Sequence, residues 1–143
     1  MKYLVFLLYV SGFLCTRNDF KNQQNSCTGY YDKAIHSFIY TYVDKMPEYP
    51  GGIGKFYSFL AKNIVYDGYS AENYQTKVTI VFIIDTAGTI KNAGIDKKDP
   101  KDYSKLELRY LNLLTKTPRW KPGKCNGKNV NVRYMSTINL TPQ

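Results

Sequence analysis

Hydrolysis or group transfer needs a nucleophile beside a base, a pair of carboxylates at fixed separation, or a set of metal ligands. The 143-residue chain has a single histidine, His36. It opens a run of β-branched and aromatic residues and has no triad partner nearby, so it reads as a strand-start residue rather than a base. Asp67, Asp85, Asp96 and Glu72 sit in settings typical of turns, caps and surfaces. Gly51-Gly52-Ile53-Gly54-Lys55 superficially suggests a phosphate loop, but it lacks the required spacing and the hydroxyl residue after the lysine. Asn139-Leu140-Thr141 is a glycosylation acceptor that matters only in a eukaryotic secretory protein. No catalytic residue, no cofactor-binding residue and no metal set can be named, and the chain reads as a non-enzyme.

The three cysteines point to compartment rather than catalysis. Met1-Lys2 is followed by an apolar run that ends at Cys15, then by polar Thr16-Arg17-Asn18-Asp19. That pattern predicts a secretory signal over residues 1–15, since a membrane-spanning helix needs about 20 apolar residues. A lipid anchor on Cys15 is the less favoured alternative, because Leu14 stands where a small residue is usual. Removing Cys15 leaves Cys27 and Cys125, an even pair in an oxidising compartment. A bond between them closes a loop of about a hundred residues, worth about 4–5 kcal/mol in the chain-entropy model; two free thiols are the other option.

These residues must be positioned by local structure. Residues 16–35 lead in as a polar linker, and 36–143 form the one folded domain. His36–Val43 has strand composition, and Pro47 and Pro50 keep the following segment extended. Ile53, Phe56, Tyr57, Leu60 and Ile64 recur at helical spacing. Val78, Ile80, Phe82 and Ile84 line one face of a strand that is apolar on both faces and therefore central. Asp85-Thr86-Ala87-Gly88 turns the chain, and the return strand to about Lys97 slips out of alternation near Asn92, as at a bulge. Asp99 and Pro100 are read as N-cap and first residue of a second helix, with Tyr103, Leu106, Tyr110, Leu113 and Leu114 as its buried stripe. After a loop over 119–127, in which Trp120 is a core anchor, residues 129–140 alternate cleanly as a strand with one wet face. The fold class is α+β: a small antiparallel sheet of three to four strands with two helices packed on one face.

A formal charge of +9 raises the question of a polyanionic partner. The lysines are scattered, and no nucleic-acid-binding motif accompanies them, so nucleic acid is not expected as a partner. A basic surface could still contact peptidoglycan or another anionic envelope component.

Pro47-Glu48-Tyr49-Pro50 before the first helix, Asp85-x-x-Gly88 in the hairpin, and Trp120-Lys121-Pro122-Gly123 with Asn126-Gly127-Lys128 before the last strand resemble the C-terminal domain of TonB. The closest likeness is to short forms with a Pro-x-x-Pro-Gly-Gly lead-in, over about residues 40–141. The resemblance implies a periplasmic module, without cofactor, that binds an extended segment of an outer-membrane transporter or other envelope protein by strand addition. It implies contact residues Met46, Pro47, Glu48, Tyr49 and Pro50, although TonB proper commonly has Gln at the place of Met46. The last strand is the expected edge, with Asn131, Arg133 and Asn139 pointing outward. A homodimer is compatible with the same sequence. An energy transducer also needs a stable anchor and a long Pro-rich spacer, and the 16–35 linker has no proline.

Overall fold

The computed structural model describes residues 27–65 and 77–139. The signal-like segment, Cys15, residues 16–26, Asp67 and Glu72 lie outside them. Strand β1 (Thr28–Asp32) is followed by β2 (Ser37–Tyr42), helix α1 (Ile53–Asn63), β3 (Lys77–Ile84) and β4 (Ile90–Ile95). A 3-10 turn (Pro100–Asp102) then precedes helix α2 (Lys105–Leu114), β5 (Gly123–Cys125), β6 (Lys128–Val130) and β7 (Val132–Asn139). The class is α+β, as expected. The main sheet is larger than expected, with five strands in the order β1-β2-β7-β3-β4, beside a two-stranded β5-β6 ribbon. It is also mixed, because β2 runs parallel to β7.

The register of β3 on β7, from Lys77↔Asn139 to Ile84↔Val132, puts Val78, Ile80, Phe82 and Ile84 on the same face as Val132, Tyr134, Ser136 and Ile138. That face receives Phe56, Leu60 and Ile64 of the α1 segment and Leu106, Tyr110, Leu113 and Leu114 of α2. The α1 stripe is narrower than its periodicity suggests, since Ile53 and Tyr57 are exposed. Tyr57 still serves the sheet: buried Ser136 donates its hydroxyl to the Tyr57 hydroxyl at 3.1 Å.

Turn chemistry fixes the connections. Gly52 N–H donates to the Tyr49 carbonyl at 2.8 Å, with Pro50 second and Gly51 third at φ 80°, the pattern of a type II turn. Asp85 Oδ1 accepts from Ala87 and Thr89 N–H groups at 2.9 and 2.8 Å, and Gly88 takes φ 80°. Asn92, at φ 46°, lies beside the irregularity in the β3–β4 register, where the bulge was expected.

Three expectations are corrected. Asp99 and Pro100 cap only the 3-10 turn, whereas α2 starts at Ser104, which forms a reciprocal capping box with Glu107. A capping box satisfies two orphan donors at once, so it defines the stronger helix start. The loop over 119–127 holds β5 and a tight hairpin: Asn126 and Gly127 take φ 49° and 77°, as a two-residue hairpin turn with both central residues left-handed requires. The linker over 16–35 is folded from residue 28 onward, where β1 pairs antiparallel with β2.

Candidate functional site

A strand-addition site is a sheet edge whose backbone N–H and C=O groups have no partner. Residues in a strand turn these groups alternately to one side and the other, so a single inter-strand bond orients the edge. Tyr40 N–H donates to the Asn131 carbonyl at 2.8 Å. Asn131, just before β7, and Arg133, Met135, Thr137 and Asn139 within it therefore turn their backbone groups to the β2 side, and the even-numbered residues turn theirs to β3. The register between β2 and β7 contains only Tyr40↔Val132. β2 ends at Tyr42, and the chain then leaves the sheet to bridge Lys45 to Lys124.

This overturns part of the expected edge. Asn131 is engaged by β2 through its carbonyl and through its side-chain amide, which donates to Ser37 Oγ at 2.7 Å. Arg133 pairs with Asp96 at 3.4 Å and also contacts the Met135 sulfur. The first third of the last strand is thus an interior position, filled by β2, the strand expected over His36–Val43. From Met135 to Asn139, no described strand pairs with β7 on that side. Met135, Thr137 and Asn139 are exposed there.

β4, at the opposite end of the sheet, is blunted. Asp96 N–H donates to the Thr79 carbonyl, so Ile95 turns its own N–H outward, where the Tyr103 hydroxyl accepts it at 3.0 Å. Together with the Asn92 bulge and Lys91, this gives an edge poorly suited to strand addition.

The Met46–Pro50 segment alternates. Pro47 and Tyr49 are buried, while Met46, Glu48 and Pro50 are exposed. Pro47 lies against Gly123, where an added methyl would meet its ring at 3.1 Å. Tyr49 belongs to the core, with ring centroids 5.2 Å from Trp120 and 5.4 Å from Phe56, and burial raises its phenol pKa. The segment is in fact a short outer strand on the ribbon, with Glu48 N–H donating to Lys121 O and Lys121 N–H donating back to Glu48 O at 3.0 and 2.8 Å. Met46 and Glu48 line a cleft of about 470 Å³ with Lys45, Lys121, Pro122, Lys124 and Asn129. The Glu48–Lys121 ion pair across it, 3.0 Å long, is largely exposed. The cleft does not include Asn131, Arg133 or Asn139, and Asn139 is about 23 Å from Val132 along an extended strand. Sequence reasoning placed these residues in one site; the structure separates them into two surfaces.

Two further features support the ribbon. Cys27 and Cys125 form a disulfide with Cα atoms 6.0 Å apart, which pins the start of β1 to β5. Asp44 lies within reach of both sulfurs, but disulfide sulfurs are not thiolates and offer little to a metal. The Asp44 carboxylate accepts instead from the Asn126 N–H at 2.6 Å. His36 sits exposed at the β1–β2 turn with φ 49°.

Comparison with known families decides the relationship. The family described as Gram-negative bacterial TonB protein C-terminal matches residues 70–141. The chain belongs to this family. The matched half contains β3, β4, α2, the ribbon and β7. The Pro47–Gly52 lead-in, α1 and the β1–β2 hairpin precede it. Neither the curated proteins nor the solved structures contain a match to the chain. The strand expected over His36–Val43 is β2, whereas β1, and with it the hairpin, and the ribbon were not expected. The Asn126-Gly127 pair was a usable signal for the ribbon; Thr28–Asp32, a single short strand with no alternation, offered little for the hairpin.

Proposed function

We propose that this chain is an exported envelope protein whose domain binds an extended segment of an outer-membrane transporter or another envelope protein by adding it as a strand to β7. The observation that carries this reading is the β7 edge from Met135 to Asn139, open among the described residues, in a member of the TonB C-terminal family. An incoming strand there gains backbone hydrogen bonds in series with β2, and Met135 and Thr137 supply side-chain contacts. The test is binding to a panel of transporter N-terminal peptides. Proline at Met135 or Asn139 removes an outward N–H without touching the β3 ladder, so each variant should fold as the parent by circular dichroism and lose peptide affinity. Normal binding by both folded variants rejects the β7 edge as the site.

The cleft supports a second reading, an accessory protein that holds peptidoglycan or another anionic partner and transduces no energy. Lys45, Lys121 and Lys124 meet there against one carboxylate, Glu48. Neutralising these three lysines should then abolish binding and its salt dependence while the proline variants bind normally.

A further inference from the structure

Among the described residues, one carboxylate and one aliphatic hydroxyl are buried, those of Glu107 and Ser136. The capping box and Lys98 account for Glu107. Ser136 has no comparable role in the fold. It stands in β7 between Tyr134 and Ile138, on the face that receives α1, where an apolar residue would serve the core better. Its hydroxyl donates to the Tyr57 hydroxyl at 3.1 Å. Ser136 is 4% exposed and Tyr57 40% exposed, so this bond runs from the core out to solvent along one flank of α1.

That flank stands over the open part of β7. Met135 and Thr137 turn their backbone groups outward, and Ser136 between them turns its side chain up to Tyr57. A strand added to this edge places one residue opposite Ser136. The side chain of that residue points to the same face, toward Tyr57, whichever way the strand runs. In an antiparallel pair it is also the closer, non-hydrogen-bonded neighbour, with about 4.5 Å between Cα atoms. Because Ser136 donates to Tyr57, the phenol proton of Tyr57 is left over, and no described group accepts it. Burial, and after it the neighbouring Tyr57 phenol, raise the Tyr134 pKa, so a second phenol stands close by and stays protonated at neutral pH. Ile53, one turn before Tyr57 and likewise exposed, adds an apolar surface to the same flank.

The geometry points to Tyr57 as a specificity-determining residue: the segment added to β7 must present a short side chain with an acceptor oxygen, that of Ser, Thr, Asn or Asp, opposite Ser136, where it accepts from the Tyr57 hydroxyl. This inference rests on the β7-edge reading and adds to it the residue class and the register. Backbone pairing alone lets a segment slide by two residues and keep its faces. One side-chain bond at a fixed place on the edge separates those registers. The side chain must be short because neighbouring strands lie about 4.8 Å apart and the Tyr57 hydroxyl sits directly on Ser136. A long side chain overshoots it. An apolar residue at this place would cover the Tyr57 donor without pairing it, which costs affinity.

The experiment selects a displayed library of random nine-residue peptides on the parent and on Tyr57→Phe, then measures a selected peptide by titration calorimetry. Peptides from the parent should share a short oxygen-bearing residue at one position, and those from Tyr57→Phe should lack that preference. Replacing the shared residue by an apolar one of like shape, such as threonine by valine, should weaken binding to the parent about three- to tenfold, the effect of one neutral hydrogen bond. The same replacement should leave binding to Tyr57→Phe nearly unchanged. Tyr57→Phe combined with Ser136→Ala leaves no orphan hydroxyl and takes its place if the single variant is unstable. The same preference from both selections, or equal weakening in both proteins, overturns the proposal, since a tyrosine that only steadies α1 would affect every peptide alike. Met135→Pro separates the two readings. Selected peptides that lose binding to it but share no such residue reject the Tyr57 subsite and leave the β7 edge standing. Peptides that bind it normally, or a parent that selects none, reject both.

Discussion

Replacing Trp120 by alanine should destabilise the domain by about 3–4 kcal/mol, within the usual range for losing a buried aromatic. The indole is 3% exposed and sits among four rings, with centroids at 5.2 Å (Tyr49), 5.1 Å (Phe56), 5.9 Å (Phe82) and 5.2 Å (Tyr134). All four fall in the range in which aromatic pairs contribute beyond their area, about 0.5–1.5 kcal/mol each and not additively. Working against this is the indole N–H, which is buried and has no hydrogen-bond partner among the described residues. An unsatisfied buried donor costs about 1–3 kcal/mol, and alanine removes that cost along with the ring. This places the expected loss in the lower part of the range. Trp120→Phe keeps one ring, creates a smaller void and also removes the orphan donor, so it should cost only about 1–2 kcal/mol. The assay is urea unfolding followed by far-ultraviolet circular dichroism, since Trp120 is the single tryptophan. Unchanged m-values are required for the comparison. An alanine variant losing less than about 1 kcal/mol would refute the burial argument. A phenylalanine variant losing as much as alanine would refute the argument from the orphan donor.

Gly88→Ala should be among the most damaging single-methyl changes, because the added carbon meets the Trp120 carbonyl oxygen where Trp120 N–H donates back to Gly88 O at 2.8 Å, and φ there is 80°; a loss under about 1 kcal/mol in the same unfolding assay would contradict it. Glu107 is pushed up in pKa by burial, but the Lys98 ammonium at 2.7 Å and the Ser104 bonds outweigh this and leave it lowered. Its stabilisation is therefore full above the ordinary carboxylate pKa and lost as pH falls through the lowered one; Glu107→Gln should flatten the acid limb of a stability–pH profile, and an unchanged limb contradicts it. Reducing Cys27–Cys125, 98 residues apart, should cost about 4–5 kcal/mol in the chain-entropy model and increase amide exchange in β1 before β3; uniform exchange would show that the bridge does not anchor the hairpin.

Local chemistry made several elements legible from sequence. The Pro50-Gly51 turn, the Asp85–Gly88 turn and the 3.6-residue stripe of α2 are written in residues that prefer those conformations whatever surrounds them. The aromatic Trp120 anchor was legible for the same reason, as a large apolar ring beside chain-breaking residues. Alternation also gave β7 its two faces correctly, because side-chain direction in a strand depends only on position. What alternation cannot give is the neighbour on each side. Whether Asn131 and Arg133 line an edge or an interior depends on a backbone bond from Tyr40, about ninety residues earlier in the chain, and such bonds carry almost no side-chain signature. The same holds for Met46 and Asn139, grouped by expectation and separated by the course of the chain after Tyr42. Residue chemistry marked most strands and turns of this protein, though not β1 or the ribbon; only the tertiary pairing decided which strand edges remain open, because edge status belongs to the sheet and not to any one strand.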